Sequence, residues 1–274
     1  MTSVRIFPNL EALSRSAAQE FVRLARERTR RGRRFSAALA GGSTPRRMYE
    51  LLAGAVYRER VPWKSVHLFW TDERCVLPDH PQSNFRMAQK ALLSKISIPA
   101  GNIHRIPVEC GTPKAAAATY EEEIQNFFRL RKNAWPTFDL MLLGLGEDGH
   151  TASLFPRSAA LRETKRLAVA ALGRKPNLPR VTLTLPVLNH ARHLIWLVTG
   201  AAKRPVLHAV LGGRGASSEK LPAQKVRPMH GTAVWFVDQA ISSLNSEPSQ
   251  RIRILSGCPS LGRTDPQASA IRSI

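Results

Sequence analysis

Cysteine is scarce. Its three occurrences, Cys75, Cys110 and Cys258, lie far apart with no Cys-x-x-Cys spacing and no neighbouring histidine pair. Neither a disulfide framework nor a zinc site is written into the chain, and no metal is expected. Long hydrophobic runs are missing as well. No stretch approaches the roughly eighteen uncharged apolar residues of a membrane span, and MTSVRIFPNL (1–10) lacks the apolar core of a signal peptide. A cytoplasmic protein with no membrane association is expected. Acidic residues are few, 20 Asp and Glu against 41 Lys and Arg, giving a formal net charge of +21.

That balance invites a nucleic-acid reading, because clustered cations gain affinity for phosphate by releasing counterions. The densest cluster, RLARERTRRGRR (23–34), holds seven arginines. It closes an amphipathic helix, however, and matches no nucleic-acid module or aromatic stacking platform, so nucleic acid is set aside as the lesser alternative. The same charge concentrates small anionic substrates near a cleft.

What is present suits one folded domain: 274 residues, 43% of them hydrophobic, are enough for a sizeable core. From Asn9 to Arg31 apolar residues recur at three- and four-residue spacing, which predicts a helix capped by Asn9. Further helices are expected at 44–57, with Thr44 as cap and Pro45 in the first turn, and at 84–95, 115–132 and 203–212. Strands are expected at 34–40, 65–70, 138–145, 166–172, 180–185, 193–200 and 232–238. Continuously apolar strands alternating with helices imply a largely parallel sheet covered on both faces. No linker interrupts residues 1–241, which are expected to form a single α/β domain. Residues 242–274 carry eight serines, three prolines and no aromatic residue. They are expected to be a disordered tail without its own core. The alternative is that RIRIL (251–255) pairs as an edge strand.

One motif, FDLMLLGLGEDGHTASLFP (138–156), places Gly144, Gly146 and Gly149 in a G-x-G-x-x-G pattern after a strand. A dinucleotide turn would seat a pyrophosphate on the loop and carry an acidic ribose ligand about twenty residues later. Here Glu147 and Asp148 would repel the pyrophosphate, and AVAALGRKP offers no such acid. No nucleotide cofactor is expected. The turn instead delivers Asp148 and His150 to the carboxyl edge of the sheet, where Asp148 can orient the imidazole as a general base. Thr151 and Ser153 are expected to cap a following helical turn.

Three other loops reach the same edge. In ALAGGSTPRRMYELL a strand runs through Gly41, Gly42, Ser43 and Thr44 into a helix, so the loop reads equally as a phosphate site at a helix N-terminus or as an ordinary capped turn. In FWTDERCVLPDHPQSNFRMA, Arg74 can clamp a phosphate in bidentate fashion, while Asp72 and Asn84 either shape the pocket or cap loops. In WLVTGAAKRPVL, Lys203 opens a helix, where its charge opposes the helix dipole. Local stability does not explain it; an anionic ligand would.

Together the stretches GGSTPRRMYELL, TDERCV…SNFRMA, GLGEDGHTASLFP and RVTLTLPVLNHARHLIWLVTGAAK resemble the 6-phosphogluconolactonase family over roughly residues 4–240. The resemblance implies a Rossmann-like three-layer α/β/α fold, shared with sugar-phosphate deaminases and isomerases. It also implies hydrolysis of 6-phospho-D-glucono-1,5-lactone, the second step of the pentose phosphate pathway, without metal or nucleotide. His150 and Asp148 would be catalytic. Gly41, Gly42, Ser43, Thr44, Arg74 and Lys203 would hold the phosphate, with Arg180 a weaker candidate, and Asp72, Asn84 and Gly146 would shape the pocket. The related glucosamine-6-phosphate deaminases carry a glutamate where Phe155 stands and commonly a tyrosine where Arg74 stands, and both differences favour the lactonase. A catalytically idle sugar-phosphate or nucleic-acid binding protein is the remaining alternative. A monomer or weak homodimer is expected.

Overall fold

The computed structural model describes residues 2–109, 111–173, 177–212, 220–242 and 253–256. Its strands are β1 (Thr2–Phe7), β2 (Phe35–Leu39), β3 (Val66–Trp70), β4 (Asp72–Arg74), β5 (Leu140–Leu143), β6 (Ala168–Leu172), β7 (Pro179–Leu183), β8 (His193–Val198), β9 (Thr232–Asp238) and β10 (Arg253–Ser256). Seven of them form one sheet in the order β10-β1-β9-β8-β5-β2-β3, every pair parallel. With helices flanking it, this is the three-layer α/β/α arrangement that the sequence pattern implied.

The apolar runs explain the layers. FSAAL, VHLFW and LMLL are buried along their whole length, as strands covered on both faces must be. Trp196 and Trp235, register partners on β8 and β9, stack with ring centroids 4.0 Å apart. Helix α1 (Leu10–Arg30) buries Leu13, Ala17, Phe21, Leu24 and Ala25, and the Asn9 side chain accepts a hydrogen bond from the Ala12 amide as an N-cap. The remaining helices of the first half are α2 (Ser43–Ala53), α3 (Ala55–Arg58), α4 (Asn84–Ala91) and α5 (Pro113–Phe128). Strand β3 closes one end of the sheet, where the Tyr120 hydroxyl of α5 accepts from the Trp70 amide and donates to its carbonyl, both at 2.9 Å. That side chain occupies backbone groups which an edge strand would otherwise leave free.

Several expectations need correction. The stretch 44–57 breaks into α2 and α3 at Gly54, and α5 stops at Phe128 because Arg129 adopts the left-handed conformation. Strands β6 and β7 do not join the main sheet. They form a separate antiparallel sheet of order β4-β7-β6. β1 was not foreseen, and neither was β4, which is too short to show a period. Part of the segment assigned to a tail is paired, since Arg253–Ser256 lies parallel to β1 as an edge strand. The other tail residues, and Cys110 and Cys258, lie outside the described residues.

Beneath β3, His67 Nδ1 lies 3.0 Å from His104 Nε2, and His104 Nδ1 lies 2.5 Å from Glu123. Burial pushes the His67 imidazole down to about 4, and the neighbouring His104 adds to the shift. A histidine with a depressed folded-state pKa takes up protons preferentially when unfolded. Stability present above about pH 6.5 is therefore lost as pH falls toward 4. Urea titrations should show a loss of about 1–2 kcal/mol across that window, and His67→Phe should flatten it. Parallel pH profiles for the two proteins would show that the pair does not titrate with folding.

Candidate active site

Four loops meet at the carboxyl edge of the sheet and line an open cleft of about 300 Å³. The first leaves β2 through Gly41 and Gly42 into α2. A side chain at 41 would overlap that of Asn84, and Gly42 has φ +104°, so glycine is required at both positions. Gly42 occupies the N-cap position without a side-chain cap, whereas the sequence had put Thr44 there. Thr44 is not free for capping because its hydroxyl is 2.8 Å from that of Thr199. Among the described residues no side chain caps the first turn of α2, which faces the cleft with the positive end of its dipole.

The second loop follows β3. Asp72 and Glu73 are buried, and Arg74 on β4 is the register partner of Arg180 on β7. Arg180 is buried too, with Asp72 Oδ2 at 3.8 Å, and the Nε atoms of both arginines have no partner among the described residues. Burial lowers the Arg180 pKa and the adjacent Arg74 charge adds to this, with Asp72 opposing. Asp72 is held in turn by Ser153 Oγ at 2.6 Å, and the Asn84 side-chain Nδ2 donates to the Asp72 backbone carbonyl at 2.9 Å. Sequence reasoning missed Glu73, whose carboxylate accepts from the amides of Arg74, Asn84 and Phe85 at 2.7–2.8 Å and ties β4 to the start of α4. Burial raises its pKa against those bonds.

The third loop is the glycine-rich turn. The Gly146 amide donates to the His150 carbonyl at 2.9 Å, and Gly149 turns the chain with φ +78°. His150 Nδ1 lies 2.5 Å from Asp148 Oδ1. A carboxylate can only accept, so Nδ1 carries a proton, and in the neutral ring the lone pair is on Nε2. Burial opposes ionisation of Asp148, but the hydrogen bond and charge of His150 hold its pKa below the usual aspartate value. Thr151 and Ser153 do not cap a helix; Thr151 bridges Leu154, and Ser153 serves Asp72. The Phe155 ring lies 4.5 Å from that of His150 and 5.6 Å from the Arg180 guanidinium.

A Cβ at 146 would overlap the His150 imidazole. Gly146→Ala should therefore displace the ring, lowering kcat roughly tenfold or more while KM stays within about twofold. Steady-state kinetics would reveal the opposite pattern if the glycine served binding instead.

The fourth loop follows β8. Lys203, in the 3-10 turn Ala201–Lys203, reaches the cleft with Glu147 at 3.6 Å. Every residue assigned from sequence to catalysis, to the phosphate or to the shape of the pocket lines this one cleft except Asp148, which stands behind His150. Thr199 joins them unforeseen. Among the described residues, no cluster of His, Cys, Asp and Glu could hold a metal, and no helix is long and apolar enough to cross a membrane.

A helix terminus with two arginines and a lysine, in one cleft with a carboxylate-held imidazole, is the kind of enzyme site that can hold an anionic group at one end and move a proton at the other. A family model described as glucosamine-6-phosphate isomerases/6-phosphogluconolactonase matches residues 8–235. A 6-phosphogluconolactonase of Synechocystis sp. is 45% identical over 202 residues, 74% of this chain and 81% of the relative. One from Nostoc sp. is 43% identical over 207 residues, 76% of this chain and 83% of the relative. The solved 6-phosphogluconolactonase of Trypanosoma cruzi superposes with a TM-score of 0.80 at 30% identity, covering 90% of this chain and 98% of its own. The chain belongs to the glucosamine-6-phosphate isomerase/6-phosphogluconolactonase family.

Proposed function

We propose that this protein hydrolyses 6-phospho-D-glucono-1,5-lactone to 6-phospho-D-gluconate, in the oxidative branch of the pentose phosphate pathway. The substrate phosphate rests on the amides of Gly42, Ser43 and Thr44 at the α2 terminus, against Arg74 and Lys203. Arg180 stands beside Arg74, and Asp72 offsets one of these two charges. With the phosphate fixed, the lactone carbonyl carbon extends toward His150. Nε2 takes a proton from water as the oxygen adds to C1, and the tetrahedral centre then expels the ring oxygen, which receives that proton from the imidazolium. Asp148 steadies the imidazole through both transfers. A cytoplasmic location and a monomeric or weakly dimeric state belong to the same reading.

The observation that favours the hydrolase over the isomerase branch of the family is Phe155. Isomerisation of an amino sugar needs carboxylates to carry protons between carbons and to open the ring. The side chain packed on His150 at 4.5 Å is a phenyl ring, with nothing to ionise. Purified protein should accelerate loss of 6-phosphogluconolactone above its spontaneous rate and release no ammonia from glucosamine 6-phosphate. The reverse pair of results would place the chain in the other branch.

A further inference from the structure

The charge excess is not spread evenly, and a dense part of it lies far from the cleft. In a parallel sheet each connecting helix returns the chain to the amino edge, so the C-terminal end of α1 and the loops entering β2, β3 and β5 lie opposite the active site. Those three strands are neighbours in the order β5-β2-β3. Their entry segments RGRR (31–34), RERVPWK (58–64) and RLRK (129–132) bring three cations each, nine against the single carboxylate of Glu59. All of these charged side chains are exposed.

The strip runs into an open groove of about 450 Å³ along the last turns of α1, lined by Arg23, Arg26, Glu27, Arg30 and, from across the groove, Arg60. Arg23 is spent on Glu20 and Glu27, at 2.7 and 2.9 Å. Arg26, Arg30 and Arg60 form no ion pair with a described residue. The α1 dipole accounts for a few tenths of a kilocalorie per cation in its last turn, not for a strip that spans three other loops. Nor can the edge steer a substrate that enters at the opposite one.

We propose that this amino edge binds the phosphate backbone of nucleic acid without sequence preference. Guanidinium groups match phosphate oxygens in bidentate geometry, and Arg26, Arg30 and Arg60 line one groove. Among the described residues no aromatic side chain lines it on which a base could stack, so readout stops at the backbone. The apolar face of α1 is buried in the core, which leaves no apolar surface on this helix to enter a membrane. From sequence alone the arginine run was a helix end; the fold joins it to two further basic loops that are remote in sequence.

The test is fluorescence anisotropy with labelled 25-mer oligonucleotides, single-stranded and duplex, titrated at several salt concentrations beside the lactone assay. The full chain should bind both, with affinity falling steeply as salt rises. The triple variant Arg26→Gln/Arg30→Gln/Arg60→Gln should bind at least tenfold more weakly, with a log–log salt slope shallower by about two to three, and should turn over lactone at the wild-type rate. No binding at low salt, or undiminished binding by the triple variant, would overturn the proposal. So would tighter binding to vesicles of anionic phospholipid than to either oligonucleotide.

Discussion

His150→Asn and His150→Ala should lower kcat a hundred- to ten-thousand-fold, the usual contribution of a positioned general base, with KM close to wild type. The separation follows from the cleft. The imidazole is held by Asp148 at 2.5 Å, whereas the α2 terminus, Arg74 and Lys203 belong to other loops. An Asn at 150 can still bond to Asp148 but has no basic nitrogen, so Asn and Ala should fail alike. The lactone hydrolyses unaided at a rate that climbs with pH, so rates need background subtraction at each pH. Wild-type kcat in a variant with native circular dichroism would remove His150 from the chemistry. Raised KM at unchanged kcat would make it a binding residue.

Arg74→Ala and Lys203→Ala should show the complementary pattern, with KM raised roughly ten- to a hundredfold and kcat nearly kept. Each removes one charge-assisted contact worth about 1.5–3 kcal/mol. The two differ in what they leave behind. Among the described residues Lys203 pairs with Glu147 alone, at 3.6 Å and exposed, so its loss should not disturb folding. Arg74 also donates to the Gln82 carbonyl at 2.7 Å, so Arg74→Ala should loosen the 75–83 loop as well. Arg74→Lys should restore that loop only in part, because a point charge does not reproduce a guanidinium fork. Unchanged KM in both alanine variants would take them out of the anion site.

The alternation of strands and helices, and the residues that gather at the carboxyl edge, were legible because each announces itself locally. An apolar run bounded by glycine marks β2 or β5, and an acid two positions before a histidine marks the pair that the turn then closes. What was not legible depends on partners remote in sequence. Thr44 was read as a cap, yet its hydroxyl goes to Thr199, on a loop 155 positions away. Glu73 drew no role from its neighbours in sequence, and only the approach of α4 turns it into a buried acceptor of three amides. Strands β6 and β7 carried a clear strand pattern, but nothing in their composition says that they pair with β4 in a second sheet.

The position of β1 bears on how the chain is made. Its hydrogen-bonding partners are 232–238 on one side and 253–256 on the other. Strand β1 therefore waits for partners that lie far behind it in the chain. At about 5–20 residues per second the interval is on the order of 10–50 s. During that time β2, β3 and β5 can already pair, while β1 trails unpaired with its hydrogen-bonding groups open to other chains.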